Sequence, residues 1–235
     1  MNIQGIQKLT LLDYPGKVAC TIFTGGCNFR CPFCHNRDLV LGPDMPGPDA
    51  PGLTEEEILA FLAKRKGILA GVCITGGEPL LWPDLKDFLI QIRSLGYLVK
   101  LDTNGSLPDR LAALAEEGLI DYVAMDIKNG QERYRETAGL PEDFDLAPIL
   151  DSVSWLIKGR LPYEFRTTVV REFHRPEDMV SIGRLIQGAA QYFLQGFIAS
   201  DTVICPGLHG LSAEEMEEYR QLVLPYVPAA KLRGV

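Results

Sequence analysis

Strand-like and helix-like segments alternate along almost the whole chain, and this alternation limits the fold more than any other feature. Six short runs rich in β-branched and aromatic residues read as strands: VACTIF from Val18, GVCIT from Gly71, YLVKLDT from Tyr97, YVAMDI from Tyr122, YEFRTTVV from Tyr163 and YFLQGFI from Tyr192. Helical patterns lie between them. TEEEILAFLAKRKG opens on Thr54 with Glu57 three residues on, the signature of a capping box. DLKDFLIQIRSLG, PDRLAALAEEG, DLAPILDSVSWLIKG and PEDMVSIGRLIQG follow, each closing on a glycine as a helix end does. Repeated βα units predict an α/β fold with a parallel sheet, open or curled toward a barrel. A complete eight-unit barrel takes about 250 residues. The chain has 235, so a partial (β/α)6 TIM-like barrel fits better. No domain break is evident, which predicts one domain over 1–235. The Pro/Gly-rich stretch from Gly42 to Gly52 is expected to be a mobile loop, and the segment 199–235 has no assignment.

In such folds the ligand face lies at the C-terminal ends of the strands. Chemically capable residues therefore belong just after strands, and they fall there. Cys27, Cys31 and Cys34 follow the first strand, and Gly76, Gly77, Glu78 and Pro79 follow the second. Asp102, Thr103, Asn104 and Gly105 close the third, Asp126 and Lys128 the fourth, and Arg166 lies in the fifth. Singly, GGEP and DTNG read equally well as turns, and Lys128 and Arg166 as solvated charges. Their joint placement on one rim is harder to attribute to turns.

The stretch TGGCNFRCPFCHN crowds three cysteines into eight positions. Several chemistries compete for them. CPFCH satisfies the C-x-x-C-H pattern of haem attachment. A C-x-x-C redox pair leaves Cys27 without a role. Zinc wants four ligands, commonly in two separated pairs, and no second C-x-x-C exists here, although His35 follows Cys34. Three thiolates also suit three irons of a [4Fe–4S] cluster, leaving one iron open to an amine and carboxylate chelate. Compartment bears on the choice. No apolar run reaches the roughly 18 residues of a membrane span, and the first residues lack the build of a signal peptide. A cytoplasmic protein is expected, in which thiols stay reduced. Lys plus Arg total 23 against 31 Asp plus Glu, for a net charge of −8. No basic footprint for nucleic acid appears.

CNFRCPFC followed by GGEP resembles the radical S-adenosylmethionine (SAM) superfamily over nearly the whole chain. The resemblance implies a [4Fe–4S] cluster on Cys27, Cys31 and Cys34 whose open iron binds SAM. One electron then cleaves the sulfonium, and a 5′-deoxyadenosyl radical abstracts hydrogen. It implies that Gly76 and Gly77 admit the methionine moiety and that Glu78 meets its ammonium. Thr103, Asn104, Asp126 and Lys128 would contact carboxylate and ribose, Arg166 the carboxylate or an internal ion pair, and Phe33 the adenine. Asp102 with Asp126 becomes a candidate monovalent-cation site. His35 reads as a hydrogen-bonding loop residue, Cys20 and Cys73 as core, Trp82 and Trp155 as packing residues; Cys205 and His209 have no role. The segment Asp13 to Asn36 is most similar to activating enzymes of glycyl-radical enzymes, and among these to activators of anaerobic ribonucleoside-triphosphate reductases. That implies a protein substrate and reduced flavodoxin or ferredoxin as electron donor. DYPG in place of a DGPG-like turn disfavours a pyruvate formate-lyase partner. The alternatives are another glycyl-radical partner, a small-molecule substrate, or an electron-transfer protein without SAM chemistry. GGEP and DTNG argue against the last.

Overall fold

The computed structural model describes residues 1–41, 52–159 and 161–235. Apart from Gly52, the loop expected at 42–52 lies outside the described residues. The chain divides into two compact units, described in turn. One comprises Met1–Asn28, Asp38–Thr103 and Leu107–Val123; the other comprises Phe29–Arg37, Asn104–Ser106 and Ala124–Val235.

The first unit is built on β1 (Ile3–Thr10), β2 (Ala19–Thr24), β3 (Gly71–Gly76) and β4 (Leu98–Thr103). α1 (Arg37–Leu41), α2 (Glu55–Lys64), α3 (Leu85–Ser94) and α4 (Pro108–Glu116) accompany them. β1 is antiparallel to β2. β2 pairs in parallel with β3, from Ala19↔Gly71 to Thr24↔Gly76, and β3 with β4, from Gly71↔Leu98 to Ile74↔Leu101. Cys20, Ile22, Val72, Ile74, Val99 and Leu101 are all buried, as are Leu62, Phe88 and Ile92 on the helices. Parallel strands covered on both faces need such continuous apolar runs. The capping box forms as read: Glu57 N–H donates to Thr54 Oγ1 and Thr54 N–H to Glu57 Oε2.

β5 (Tyr122–Asp126) starts in the first unit and ends in the second. The second unit adds α5 (Tyr134–Ala138), α6 (Ala147–Ile157), β6 (Tyr163–Val169), α7 (Pro176–Leu185), β7 (Tyr192–Gly196), α8 (Ala213–Val223) and β8 (Ala230–Arg233). β6–β7 and β7–β8 are parallel pairs. Within each unit strand order is chain order, β1 to β4 in the first and β6 to β8 in the second. All six sequence-predicted strands are present as β2 to β7. β1 and β8 are additions. β8 is fastened by Arg233, whose guanidinium pairs with both Glu164 oxygens at 3.0 Å and lies 3.7 Å over the Phe193 ring. Among the described residues no helix is long and apolar enough to cross a membrane.

Candidate active site

In the first unit the residues singled out by sequence gather around the ends of β2, β3 and β4. Cys27 follows the turn Thr24-Gly25-Gly26 and is half-buried. That turn lies directly against Gly76 and Gly77. Gly77 N–H donates to the Thr24 carbonyl and Glu78 N–H to the Gly26 carbonyl, each at 2.8 Å. A Cβ on Gly77 would lie 1.8 Å from the Gly26 oxygen, and one on Gly76 would lie 2.3 Å from Thr24 backbone atoms. The diglycine thus lets two backbones touch, and the contact sets the position of Cys27. Trp82 adds a hydrogen bond from Nε1 to the Gly25 carbonyl at 2.9 Å.

Glu78 is fully buried, at 0% exposure. Its Oε1 accepts from Leu80 N–H at 3.1 Å and from Thr103 Oγ1 at 2.9 Å. A buried carboxylate without such donors is costly; these two orient it. Lys100, 1% exposed, pairs with Asp102 beside the Cys73 sulfur. Asp102 thus has a lysine as counter-ion inside its own unit.

In the second unit Cys31 is buried and Cys34 half-buried, on one tight turn closed by Cys34 N–H to the Cys31 carbonyl at 3.0 Å. The Cys31 thiol meets the Ala138 carbonyl at 3.6 Å. Burial pushes this thiol up to about 11, against the opposing pull of Lys128. Phe33 between them is buried and packs on Phe173. His35 Nε2–H donates to the Ile198 carbonyl at 2.8 Å, so His35 is a hydrogen-bonding loop residue, as read. Asn104 Oδ1 accepts from Ser106 N–H at 2.9 Å.

Asp126 of β5, Lys128 two residues beyond it and Arg166 of β6 form one network. Asp126 accepts from Lys128 Nζ at 3.1 Å and from Arg166 Nε at 2.9 Å. Burial alone would raise the Asp126 pKa, but the two cations outweigh it and hold the carboxyl well below the usual range. The same balance acts on Lys128: burial opposes its charge, Asp126 and Cys31 favour it, and its pKa is raised. Lys128 is a fixed cation at the end of β5, and the internal ion pair considered for Arg166 is present.

Three features escaped sequence reasoning. His174, in a turn after β6, bonds to the Lys128 carbonyl; a lone histidine in REFHRPED carries no spacing signal. Cys205 N–H donates to the Pro32 carbonyl at 2.8 Å, so the otherwise unassigned C-terminal segment touches the cysteine loop. Exposed His209 pairs with Glu172 at 2.8 Å. Cys20 and Cys73 are buried core, as read.

The radical SAM superfamily model matches residues 21–223. A Methanocaldococcus jannaschii protein named "Putative glycyl-radical enzyme activating enzyme" is 34% identical over 208 residues, 85% of this chain and 81% of that protein. A pyruvate formate-lyase-activating enzyme of Clostridium pasteurianum is 33% identical over 133 residues, 54% of this chain and 52% of that one. Among solved structures, a radical SAM methyltransferase from Sphaerobacter thermophilus superposes with TM-score 0.73 at 15% identity, covering 96% of this chain and 68% of that one. The chain belongs to the radical SAM superfamily, and its fold is that superfamily's α/β partial barrel. Within it the chain falls in the glycyl-radical-enzyme activating family and is an enzyme of that kind. The family's cofactors are a [4Fe–4S] cluster and SAM.

The donor chemistry suits such a cluster, which proteins hold by cysteine thiolates. Cys27, Cys31 and Cys34 lie within eight positions, and none of them is in a disulfide. Among the described residues no three His, Cys, Asp or Glu side chains converge on a point as a single ion requires. A cubane takes one thiolate per iron, so its ligands need no common point.

Proposed function

We propose that this chain binds its cluster through Cys27, Cys31 and Cys34 and generates a glycyl radical on an anaerobic ribonucleoside-triphosphate reductase in the cytoplasm, with reduced flavodoxin or ferredoxin as electron donor. The observation that carries the class of partner is the match, over 85% of this chain, to the archaeal protein whose name describes a glycyl-radical enzyme activating enzyme. The similarity of Asp13 to Asn36 to reductase activators supports the particular partner. Asp13 is a built part of that segment: it accepts from Thr21 Oγ1 at 2.5 Å.

When bound, the reduced cluster supplies the electron that splits SAM; that chemistry is the cofactor's own. The chain's residues bind and orient. Glu78, aligned by Thr103 and Leu80, is suited to accept the SAM ammonium. Gly76 and Gly77, packed without side chains on the Thr24–Gly26 backbone, seat the turn that carries Glu78 toward the methionine moiety. Lys128, held charged by Asp126, is suited to the methionine carboxylate or ribose. Asn104, Asp126 and Arg166 complete the polar set, and Phe33 offers an apolar face to adenine. Asp102 stands with Asp126 as the proposed monovalent-cation pair, each already holding a cationic side chain.

Anaerobic reconstitution tests the assignment. Wild type should carry one cluster, and Ala at Cys27, Cys31 or Cys34 should remove SAM cleavage, while Cys73→Ala keeps the cluster. Glu78→Ala should weaken SAM binding by about one to two decades, the worth of a charge-assisted hydrogen bond. Full activity in Cys31→Ala, or unchanged SAM affinity in both Glu78→Ala and Lys128→Ala, contradicts it. For the partner, an electron paramagnetic resonance spectrum after incubation with SAM should show a glycyl doublet on an anaerobic reductase. The Clostridium relative favours a second reading, a pyruvate formate-lyase-type partner; a doublet on that enzyme alone would select it.

A further inference from the structure

His174 is 1% exposed and has both ring nitrogens committed. Nδ1 lies 3.1 Å from Val170 N–H and 3.2 Å from the Val170 carbonyl, and Nε2–H donates to the Lys128 carbonyl at 2.8 Å. A carbonyl facing Nε2 requires a hydrogen there, and in the neutral ring that leaves Nδ1 bare to accept from Val170 N–H. Burial lowers the ring's pKa and so favours the same neutral form.

The turn that carries this ring is fastened on further sides. The Phe173 carbonyl accepts from Asn129 Nδ2 at 3.0 Å and from Arg133 Nη1 at 2.9 Å. Arg133 also pairs with Asp178 at 2.9 Å, and Tyr219 Oη donates to the His174 carbonyl at 3.1 Å. Segment 128–133 and turn 170–174 therefore form one clamp. Its apolar side receives the cysteine loop: Phe33 lies 5.9 Å from the Phe173 ring and edge-on to His174 at 6.4 Å, centroid to centroid.

We propose that His174 is a positioning residue, which sets Lys128 and Phe33 in register for SAM through its Nε2–H bond to the Lys128 carbonyl and its contact with the Phe33 ring. This rests on the assignment of Lys128 and Phe33 to the SAM site. The ion pair with Asp126 constrains the Lys128 side chain; His174 constrains its backbone. Both are needed because a long lysine side chain on a mobile turn delivers its ammonium to no fixed point.

Two substitutions separate positioning from mere stability. Gln at 174 places an amide N–H where Nε2 stood and still reaches the Lys128 carbonyl. Asn keeps a polar atom facing Val170 but falls short of Lys128. In anaerobically reconstituted protein, His174→Gln should bind SAM within about threefold of wild type, and His174→Asn about tenfold more weakly, the worth of one net hydrogen bond. Both should melt at similar temperatures. Long-range 1H–15N spectra of the oxidised-cluster protein, assigned with His35→Gln and His209→Gln, should show one imidazole as the neutral Nε2–H tautomer. An Nδ1–H tautomer, a charged ring, or equal SAM affinity in the Gln and Asn variants would overturn the proposal. Lys128→Ala is the companion arm. If it binds SAM like wild type, the pocket assignment itself fails. If it is weakened while His174→Asn is not, only the positioning role fails.

Discussion

Gly77→Ala adds one methyl group at the place where the least room exists. Its Cβ would sit 1.8 Å from the Gly26 carbonyl oxygen, whereas ordinary contact starts at 3.4 Å. The two backbones must separate by roughly 1.6 Å, and overpacking of that kind costs about 1–3 kcal/mol. The separation also breaks the 2.8 Å bond from Glu78 N–H to Gly26, worth about 1 kcal/mol more. The sum is about 2–4 kcal/mol, or roughly 5–15 °C in melting temperature for a chain of this size. Because Gly26 immediately precedes Cys27, the displaced turn should also lower iron content after reconstitution. Gly5→Ala is the matched control, since a Cβ there meets nothing within 4 Å. Thermal melting and iron analysis of both variants are the assay. If Gly77→Ala matched Gly5→Ala in stability and in iron, close backbone approach would not be what the diglycine provides.

Asp126→Asn leaves Lys128 and Arg166 as neighbouring cations without their shared counter-ion. With the carboxylate 33% exposed, solvent screening keeps the loss near the low end of charge-assisted bonds, about 2 kcal/mol, or roughly 4–8 °C by thermal melting; an unchanged melting temperature would contradict the network. Arg171, by its hydrogen bonds to Glu215, holds that carboxyl at about 2, below its ordinary 4.5. A depressed carboxylate stabilises the fold above its unfolded pKa, and that contribution is lost as pH falls through the folded value. Arg171→Ala should move the Glu215 midpoint upward in a side-chain NMR titration; a midpoint still near 2 would assign the shift elsewhere.

Six strands were legible because parallel strands buried on both faces must be apolar at nearly every position. β1 was not, since IQGIQKLT is half exposed and broken by a glycine. β8 was not, since it has four residues and depends on Glu164 and Phe193 far away in the chain. The cysteine spacing and GGEP were legible as motifs. The physical reason for two glycines was hidden, because the backbone they admit lies some fifty residues earlier, at Thr24 to Gly26. His174 was invisible for the same reason: its partner is the carbonyl of Lys128, 46 residues away. The Arg166–Asp126 ion pair is likewise fixed by strand register and topology rather than by local pattern.

The proposed reaction takes hydrogen from a backbone glycine of a partner enzyme, and isotope transfer reads that step. Reduced protein, SAM and an anaerobic ribonucleoside-triphosphate reductase deuterated at glycine are mixed without oxygen, and the 5′-deoxyadenosine formed is analysed by mass spectrometry. Deuterium is expected in the 5′-deoxyadenosine, in proportion to the glycyl radical counted by electron paramagnetic resonance. SAM cleavage without deuterium transfer from any glycyl-radical partner, together with a small molecule that accelerates cleavage and is itself transformed, would contradict it.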